Sequence, residues 1–255
     1  MNTIYLIIFF ILGLHMGSFY TVIGLRLPKH QDFIKTRSHC DHCKHTLGVW
    51  DMVPVFSYLF LKGRCRYCHK KFSGLSSYME IFSGLLYALS FFVFGFTGNL
   101  FIALGIISML IILSVSDITY YIIPDEILIF FSGYFIILNT IMKGIVPSLL
   151  SILSGLVLFG FMYLVMLIGN FLFKKETLGG GDIKLMFVVG LVLNPFLGLV
   201  SIFLASFLAL PVSLLIMVTQ KKNMVPFGPF LIISFMFLFF TGIDMKMILE
   251  WIKSI

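Results

Sequence analysis

Asp117 and Asp182 are the residues whose type and setting first suggest chemistry. The 255-residue chain has only eleven acids, so an acid at the edge of a long apolar run is conspicuous. Asp117 closes one such run in Ser116-Asp117-Ile118-Thr119-Tyr120-Tyr121-Ile122-Ile123-Pro124-Asp125. Asp182 opens another in Leu178-Gly179-Gly180-Gly181-Asp182-Ile183-Lys184. A charged acid deep in a bilayer costs about 2.5–3.5 kcal/mol, and a glycine weakens a helix by roughly 1 kcal/mol. Two carboxylates brought together share a proton, because both cannot ionise side by side. One member then activates a water and the other protonates a leaving amine. That is aspartic peptide hydrolysis, and it needs no metal. The glycines Gly179, Gly180 and Gly181 read as backbone free to adopt positive φ and to let an extended chain approach closely. Plainer roles stay open. Asp182 can cap the helix that follows it, as Asp125 can after Pro124. Asp125 and Glu126 are rivals to Asp117. Lys184 is either a positive anchor or a charge that tunes Asp182.

The four cysteines form a second constellation, Cys40-Asp-His-Cys43 and Cys65-Arg-Tyr-Cys68, with 21 residues between the pairs. Two CxxC knuckles can each place two thiolates on one metal and together close a tetrahedral site, with zinc the favoured ion. The segment around them has few large apolar groups, so a structural metal would supply stability that a small core cannot. Two disulfides or a redox pair are the alternatives. A reducing cytoplasm disfavours disulfides.

The elements that must position these groups are membrane spans. The composition is 60% hydrophobic and 11% charged, whereas a soluble domain has roughly 45–50% apolar and 25% charged residues. Apolar runs predict about eight spans, near residues 4–23, 75–96, 100–115, 126–142, 146–173, two within 184–218 broken at Asn194-Pro195, and 227–243. The sixth is predicted to be short and partly enclosed by protein. The first run lacks a basic flank and a cleavage site, and reads as a retained helix. A tail from Asp244 can form an interfacial helix with Trp251 at the headgroups.

Loops that alternate along this layout hold 15 of the 18 lysines and arginines, including Lys221 and Lys222; Lys143, Lys246 and Lys253 fall opposite. The positive-inside rule then places the cysteine loop, Asp117 and Asp182 at the cytoplasmic face and both termini outside. The net charge of +7 is gathered at that face, which suits the headgroups of a lipid bilayer and not nucleic acid. Glu80, one turn into the second span, is expected to pair with a basic group or face an interior cavity. The predicted fold is an all-α polytopic membrane protein, with about eight transmembrane helices plus a small cytoplasmic zinc-knuckle domain. Its divisions are a first transmembrane helix (1–25), the cysteine domain (26–74) and a seven-helix membrane domain (75–255).

These residues carry a resemblance. Gly179-x-Gly181-Asp182 followed by Lys184 resembles the GxGD-x-K signature of type IV prepilin peptidases. Asp117 with Pro124-Asp125 resembles that family's first aspartate motif, and Gly17-Ser18-Phe19 through Arg26-Leu27-Pro28 its N-terminal motif. Trp50-Asp51-x-x-Pro54-Val55-x-Ser57-Tyr58 and Gly63-Arg64-Cys65-Arg66-x-Cys68 resemble its cysteine-loop motif. The short, Phe-rich form is most like the competence-type enzymes of Gram-positive bacteria. The resemblance implies a membrane aspartic endopeptidase that removes the short basic leader of prepilins or pseudopilins at the cytoplasmic face. Many such enzymes then methylate the new N-terminus with S-adenosylmethionine. It further implies Asp117 and Asp182 as the catalytic pair, and Cys40, Cys43, Cys65 and Cys68 as zinc ligands. Glu80 matches a glutamate in the region associated with methylation. The chain departs from the pattern at Thr21, where Asn is usual, and at the first cysteine pair, which lacks the common Pro. Leu75-Ser76-Ser77 replaces Arg-Tyr-Pro, and Thr119 replaces an acid. A GxGD protease of signal-peptide-peptidase type would lack the cysteine loop. A non-catalytic zinc-knuckle scaffold, or a transporter using the acids as an ion pathway, would cut no peptide.

Overall fold

The computed structural model describes residues 2–175, 177–220, 226–244 and 247. Its regular structure is helical: α1 (Asn2–Arg26), α2 (Phe56–Phe60), α3 (Leu75–Phe94), α4 (Gly98–Tyr120), α5 (Asp125–Lys143), α6 (Ile145–Phe173), α7 (Gly180–Val192), α8 (Pro195–Gln220) and α9 (Gly228–Thr241). Six of these, α1, α3, α4, α5, α6 and α8, are long and apolar enough to cross a membrane, so the chain is a multi-pass membrane protein. The eight apolar segments expected from the sequence are all helical, but α7 and α9 have only 13 and 14 residues. At about 1.5 Å per residue they reach roughly 20 Å, short of a hydrocarbon core of about 30 Å. Lys221, Lys222 and the tail with Lys246, Trp251 and Lys253 lie outside the described residues.

The chain divides into two compact units, Met1–Leu100 and Phe101–Ile255. In the first, α1 packs on α3 through small residues. A Cβ on Gly13 would stand 2.7 Å from the Cα of Gly84, and one on Gly17 would stand 2.7 Å from the Cβ of Ser83. Bare backbone at both positions lets the helices meet closely, the usual device where lipid offers no hydrophobic drive. One end of the pair is closed by an aromatic cluster in which Phe9 stacks on Phe91 at 4.8 Å. The segment between the two helices holds the cysteines and the one-turn α2.

In the second unit, α4 is the most enclosed span, with 83% of its apolar window buried. Gly105 lets the Tyr134 ring of α5 lie against α4, and the Tyr134 hydroxyl donates to the Phe101 carbonyl at 2.7 Å. The short α7 is held inside protein, with eight of its residues buried from Asp182 to Leu191. Its backbone crosses α6 at a glycine pair, since a Cβ on Gly190 would be 2.5 Å from the Cα of Gly155. A helix that stops within an apolar layer must have its last carbonyls satisfied. Asn139 of α5 donates to the Leu191 carbonyl at 2.6 Å, and Ser154 of α6 to that of Leu193 at 3.0 Å. The predicted break at Asn194-Pro195 is present. Asn194 Oδ1 accepts the Leu197 N–H at 2.8 Å as α8 begins with Pro195 at its first position.

Candidate active site and cysteine cluster

Asp117 lies within the last turn of α4, because that helix runs on to Tyr120 and does not stop near residue 115 as its apolar run predicted. Tyr121, at φ 58°, then takes the left-handed conformation that ends a helix, and its N–H caps the Asp117 carbonyl at 2.9 Å. The Ser116 hydroxyl holds the Ile122 carbonyl at 2.5 Å. This turn delivers Ile123 toward α7 and α9. A Cβ on Gly181 would stand 2.6 Å from the Cβ of Ile123, and one on Gly228 would stand 3.1 Å from its Cδ1. One side chain thus gathers the ends of three helices. Asp117 and Asp182 are both buried, at 6% and 9% exposure. The two differ in their partners. The Gly228 N–H donates to Asp117 Oδ2 at 3.2 Å. Asp182 Oδ1 is buried with no hydrogen-bond partner among the described residues.

Three expectations change here. None of Gly179, Gly180 and Gly181 has positive φ. Gly179 is extended at φ −68° and caps α7, while Gly180 and Gly181 already belong to the helix. Close approach is provided by Gly181, which meets Ile123, while a Cβ on Gly180 would meet nothing within 4 Å. Lys184 does not pair with Asp182. It donates to both oxygens of Asp125, at 2.8 and 2.6 Å, and so ties α7 to α5. Asp125 is accordingly the first residue of α5 and not its side-chain cap, the N-cap position being Pro124.

The cysteine segment is built from two similar turns. In each, a residue just after the second cysteine takes positive φ, Lys44 at 59° and His69 at 56°. The backbone N–H of Lys44 returns to the Cys40 carbonyl and that of His69 to the Cys65 carbonyl, both at 2.9 Å. One antiparallel bridge closes each turn, His39 with Thr46 and Arg64 with Lys71. The four sulfurs lie within 4.8 Å of one another and are not joined as disulfides. Backbone N–H groups of Cys43 and His42 directed at Cys40 hold its thiol down to about 6, which favours the thiolate a metal needs. Asp51 braces the second turn, pairing with Arg66 Nε at 2.9 Å and accepting the Gly48 N–H at 3.1 Å.

Glu80 is buried on α3 at 5% exposure. Its Oε2 accepts the Val55 N–H at 2.7 Å and its Oε1 the Ser76 hydroxyl at 3.1 Å. Of the two alternatives for this acid, it lines a cavity. The ion pairs among the described residues are Arg66–Asp51 and Lys184–Asp125, and neither includes it.

Two family matches cover most of the chain. Residues 11–94 match the family described as Bacterial Peptidase A24 N-terminal domain, and residues 104–214 the Type IV leader peptidase family. A Bacillus subtilis protein named Prepilin leader peptidase/N-methyltransferase is 37% identical over 189 residues, 73% of this chain and 73% of that protein. The chain belongs to the type IV leader peptidase family. A Vibrio cholerae family member of the same name is 32% identical over 267 residues, covering 94% of this chain and 98% of that protein. No solved structure matches. The peptidase-family match contains Asp117 and Asp182 but ends within α8. Gly228 and α9 lie beyond it, and Gly228 also escaped the sequence reading. Its signal was the stretch Pro226-Phe227-Gly228-Pro229, where proline and glycine mark a turn into a helix.

Proposed function

We propose that this family member removes the leader from prepilin or pseudopilin substrates with Asp117 and Asp182 as its catalytic pair. The carrying observation is the unequal hydrogen bonding of two buried carboxylates on helix ends that meet at Ile123. A backbone donor favours the negative charge on Asp117. The proton of the pair then resides on Asp182, whose buried Oδ1 lacks a partner among the described residues. Asp117 takes a proton from a water whose oxygen attacks the scissile carbonyl carbon, while Asp182 donates to the carbonyl oxygen. Collapse breaks the C–N bond as Asp117 returns its proton to the leaving nitrogen and a hydroxyl of the gem-diol returns one to Asp182, reforming the carbonyl. Gly180, with open space where a Cβ would be, leaves room for an extended substrate beside Asp182. The distribution of Lys and Arg supports a cytoplasmic active site with both termini outside.

Zinc suits the four cysteines. Tetrahedral Zn–S bonds of about 2.3 Å set sulfurs roughly 3.8 Å apart, and Cys40 Sγ lies 3.8 Å from Cys68 Sγ. Its role here is structural, fixing the loop between α1 and α3. The names of the relatives extend the proposal to N-methylation of the new N-terminus, for which S-adenosylmethionine supplies the methyl group.

The test uses the purified chain in lipid nanodiscs with a synthetic prepilin peptide. Mass spectrometry should find the leader and the shortened product. With S-adenosylmethionine added, the product should gain the mass of one methyl group. A scaffold or transporter would leave the peptide whole.

A further inference from the structure

We infer that α2 and the second cysteine turn form a membrane-surface anchor. Trp50, Phe56 and Phe60 enter the headgroup layer, and Lys62, Arg64 and Lys71 hold the phosphate of an anionic lipid. The surface lies wholly within the first unit. Its apolar part is turned the wrong way for water. On the single turn of α2, Tyr58 faces the loop's interior, edge-on to Phe72 at 5.4 Å. Phe56, Leu59 and Phe60 are exposed, Phe60 at 82%. Trp50, at 77% exposure, shares a recess with Phe56 and Phe60, so these rings form one patch. A contiguous exposed apolar patch marks a contact surface. Trp, Phe and Leu beside Lys and Arg are the composition of a segment that lies in a bilayer interface.

The height of this turn is fixed by α3. That helix has 20 residues, and at about 1.5 Å per residue it spans about 30 Å, the thickness of a hydrocarbon core. Its first turns therefore stand at the headgroup boundary. Val55, immediately before α2, donates its N–H to Glu80 Oε2 at 2.7 Å. Glu80 lies in the second turn of α3, so α2 starts at that level and not out in the aqueous phase. Val55 takes φ 64° as the chain turns into α2, a conformation rare for a β-branched residue. A second tie follows within α2, where a Cβ on Gly74 would stand 3.0 Å from the Tyr58 hydroxyl.

The charge points to an anion. A recess of about 550 Å³ adjoins the apolar one and shares Phe60, Leu61 and Arg66 with it. Its described lining includes Lys62, Arg64 and Lys71 and no acid. Arg66 is already paired with Asp51. The other three are exposed and enter no ion pair among the described residues. Arg64 and Lys71 also face each other across an antiparallel bridge. Like charges directly opposite destabilise such a pair, and a phosphate between them removes the repulsion. A free anion would leave the neighbouring rings uncovered, whereas a lipid satisfies both recesses at once.

The test reads Trp50 directly. The chain has two tryptophans, so Trp251→Phe leaves Trp50 as the sole emitter. This full-length variant is placed in nanodiscs of phosphatidylcholine, with and without phosphatidylglycerol, and quenching by brominated acyl chains is measured. With phosphatidylglycerol present, Trp50 emission should shift to the blue and be quenched. Phosphatidylcholine alone, or salt at about 1 M, should weaken both signals. Lys62→Gln, Arg64→Gln and Lys71→Gln should each lower the docking constant about fivefold. Lys62→Arg with Lys71→Arg should dock as the parent does, which separates loss of charge from loss of fold. Absence of quenching in every lipid would overturn the anchor. So would quenching that ignores phosphatidylglycerol and the Gln variants, or a loss that the Arg variants share. A blue shift without quenching would mean that protein, not lipid, covers this face, and would overturn it equally.

Discussion

The backbone N–H of Gly228 donates to Asp117 Oδ2 across 3.2 Å, joining the start of α9 to the end of α4. The contact separates two otherwise similar acids. It also favours glycine, since a Cβ at 228 would stand 3.1 Å from both Asp117 Oδ2 and Ile123 Cδ1 and push them apart by a few tenths of an ångström. Gly228→Ala should therefore lower the rate of leader cleavage on the order of tenfold to a hundredfold, as small displacements of reacting groups do. Ile123→Val, which removes the Cδ1 methyl, should restore part of the rate in the double variant. Single-turnover kinetics on a prepilin peptide would measure both.

Lys184 and Asp125 form an ion pair at 2.6 Å with both side chains about half exposed. Such pairs contribute roughly 0–1 kcal/mol. Lys184→Met and Asp125→Asn should reduce thermal stability slightly and equally, and the double variant should be no worse than either. Cleavage should fall far less than for a change at Asp182. A thermal-unfolding double-mutant cycle, run beside the peptide assay, checks both points.

The zinc proposed for the cysteine loop should be lost in acid. Cys40 is held down to about 6 from a usual 9.0 by the backbone N–H groups of Cys43 and His42. A depressed thiol favours the folded loop fully above 9.0, and that contribution is lost as pH falls through about 6. Its neighbour Cys43 is pushed up to about 11 and gives up its proton only as the metal binds. Protons then also compete with the metal. Zinc retention, measured by elemental analysis after dialysis, should hold at pH 7 and drop below about pH 6. Cys40→Ser should shift the loss to higher pH.

The glycine crossing of α6 and α7 sets the height of Asp182. Gly190→Ala would force a Cβ to within 2.5 Å of the Gly155 backbone, an overpacking that costs about 1–3 kcal/mol. The melting temperature in nanodiscs should fall, and cleavage should weaken even where the protein stays folded.

What the sequence made legible were the features that depend on near neighbours. Apolar runs marked the helices, Asn194-Pro195 marked the break between α7 and α8, and the two CxxC turns announced the sulfur cluster. Contacts between distant residues were harder. Lys184 sits two residues from Asp182, yet its partner is Asp125, 59 positions away. The glycine triplet suggested positive φ, while the unusual backbone belongs to Tyr121 and Val55, where tertiary packing overrides preference. Nothing near Asp117 in sequence hinted that its donor would come from residue 228. The pairing arises only when α9 packs beside α4.

The central claim is that Asp117 and Asp182 act together on a peptide bond. Its most direct test is cleavage of a prepilin peptide by Asp117→Asn and Asp182→Asn, each purified in nanodiscs with full zinc content. Both variants should insert, retain metal and produce no detectable shortened peptide. Cleavage at the wild-type rate by either one would contradict the dyad.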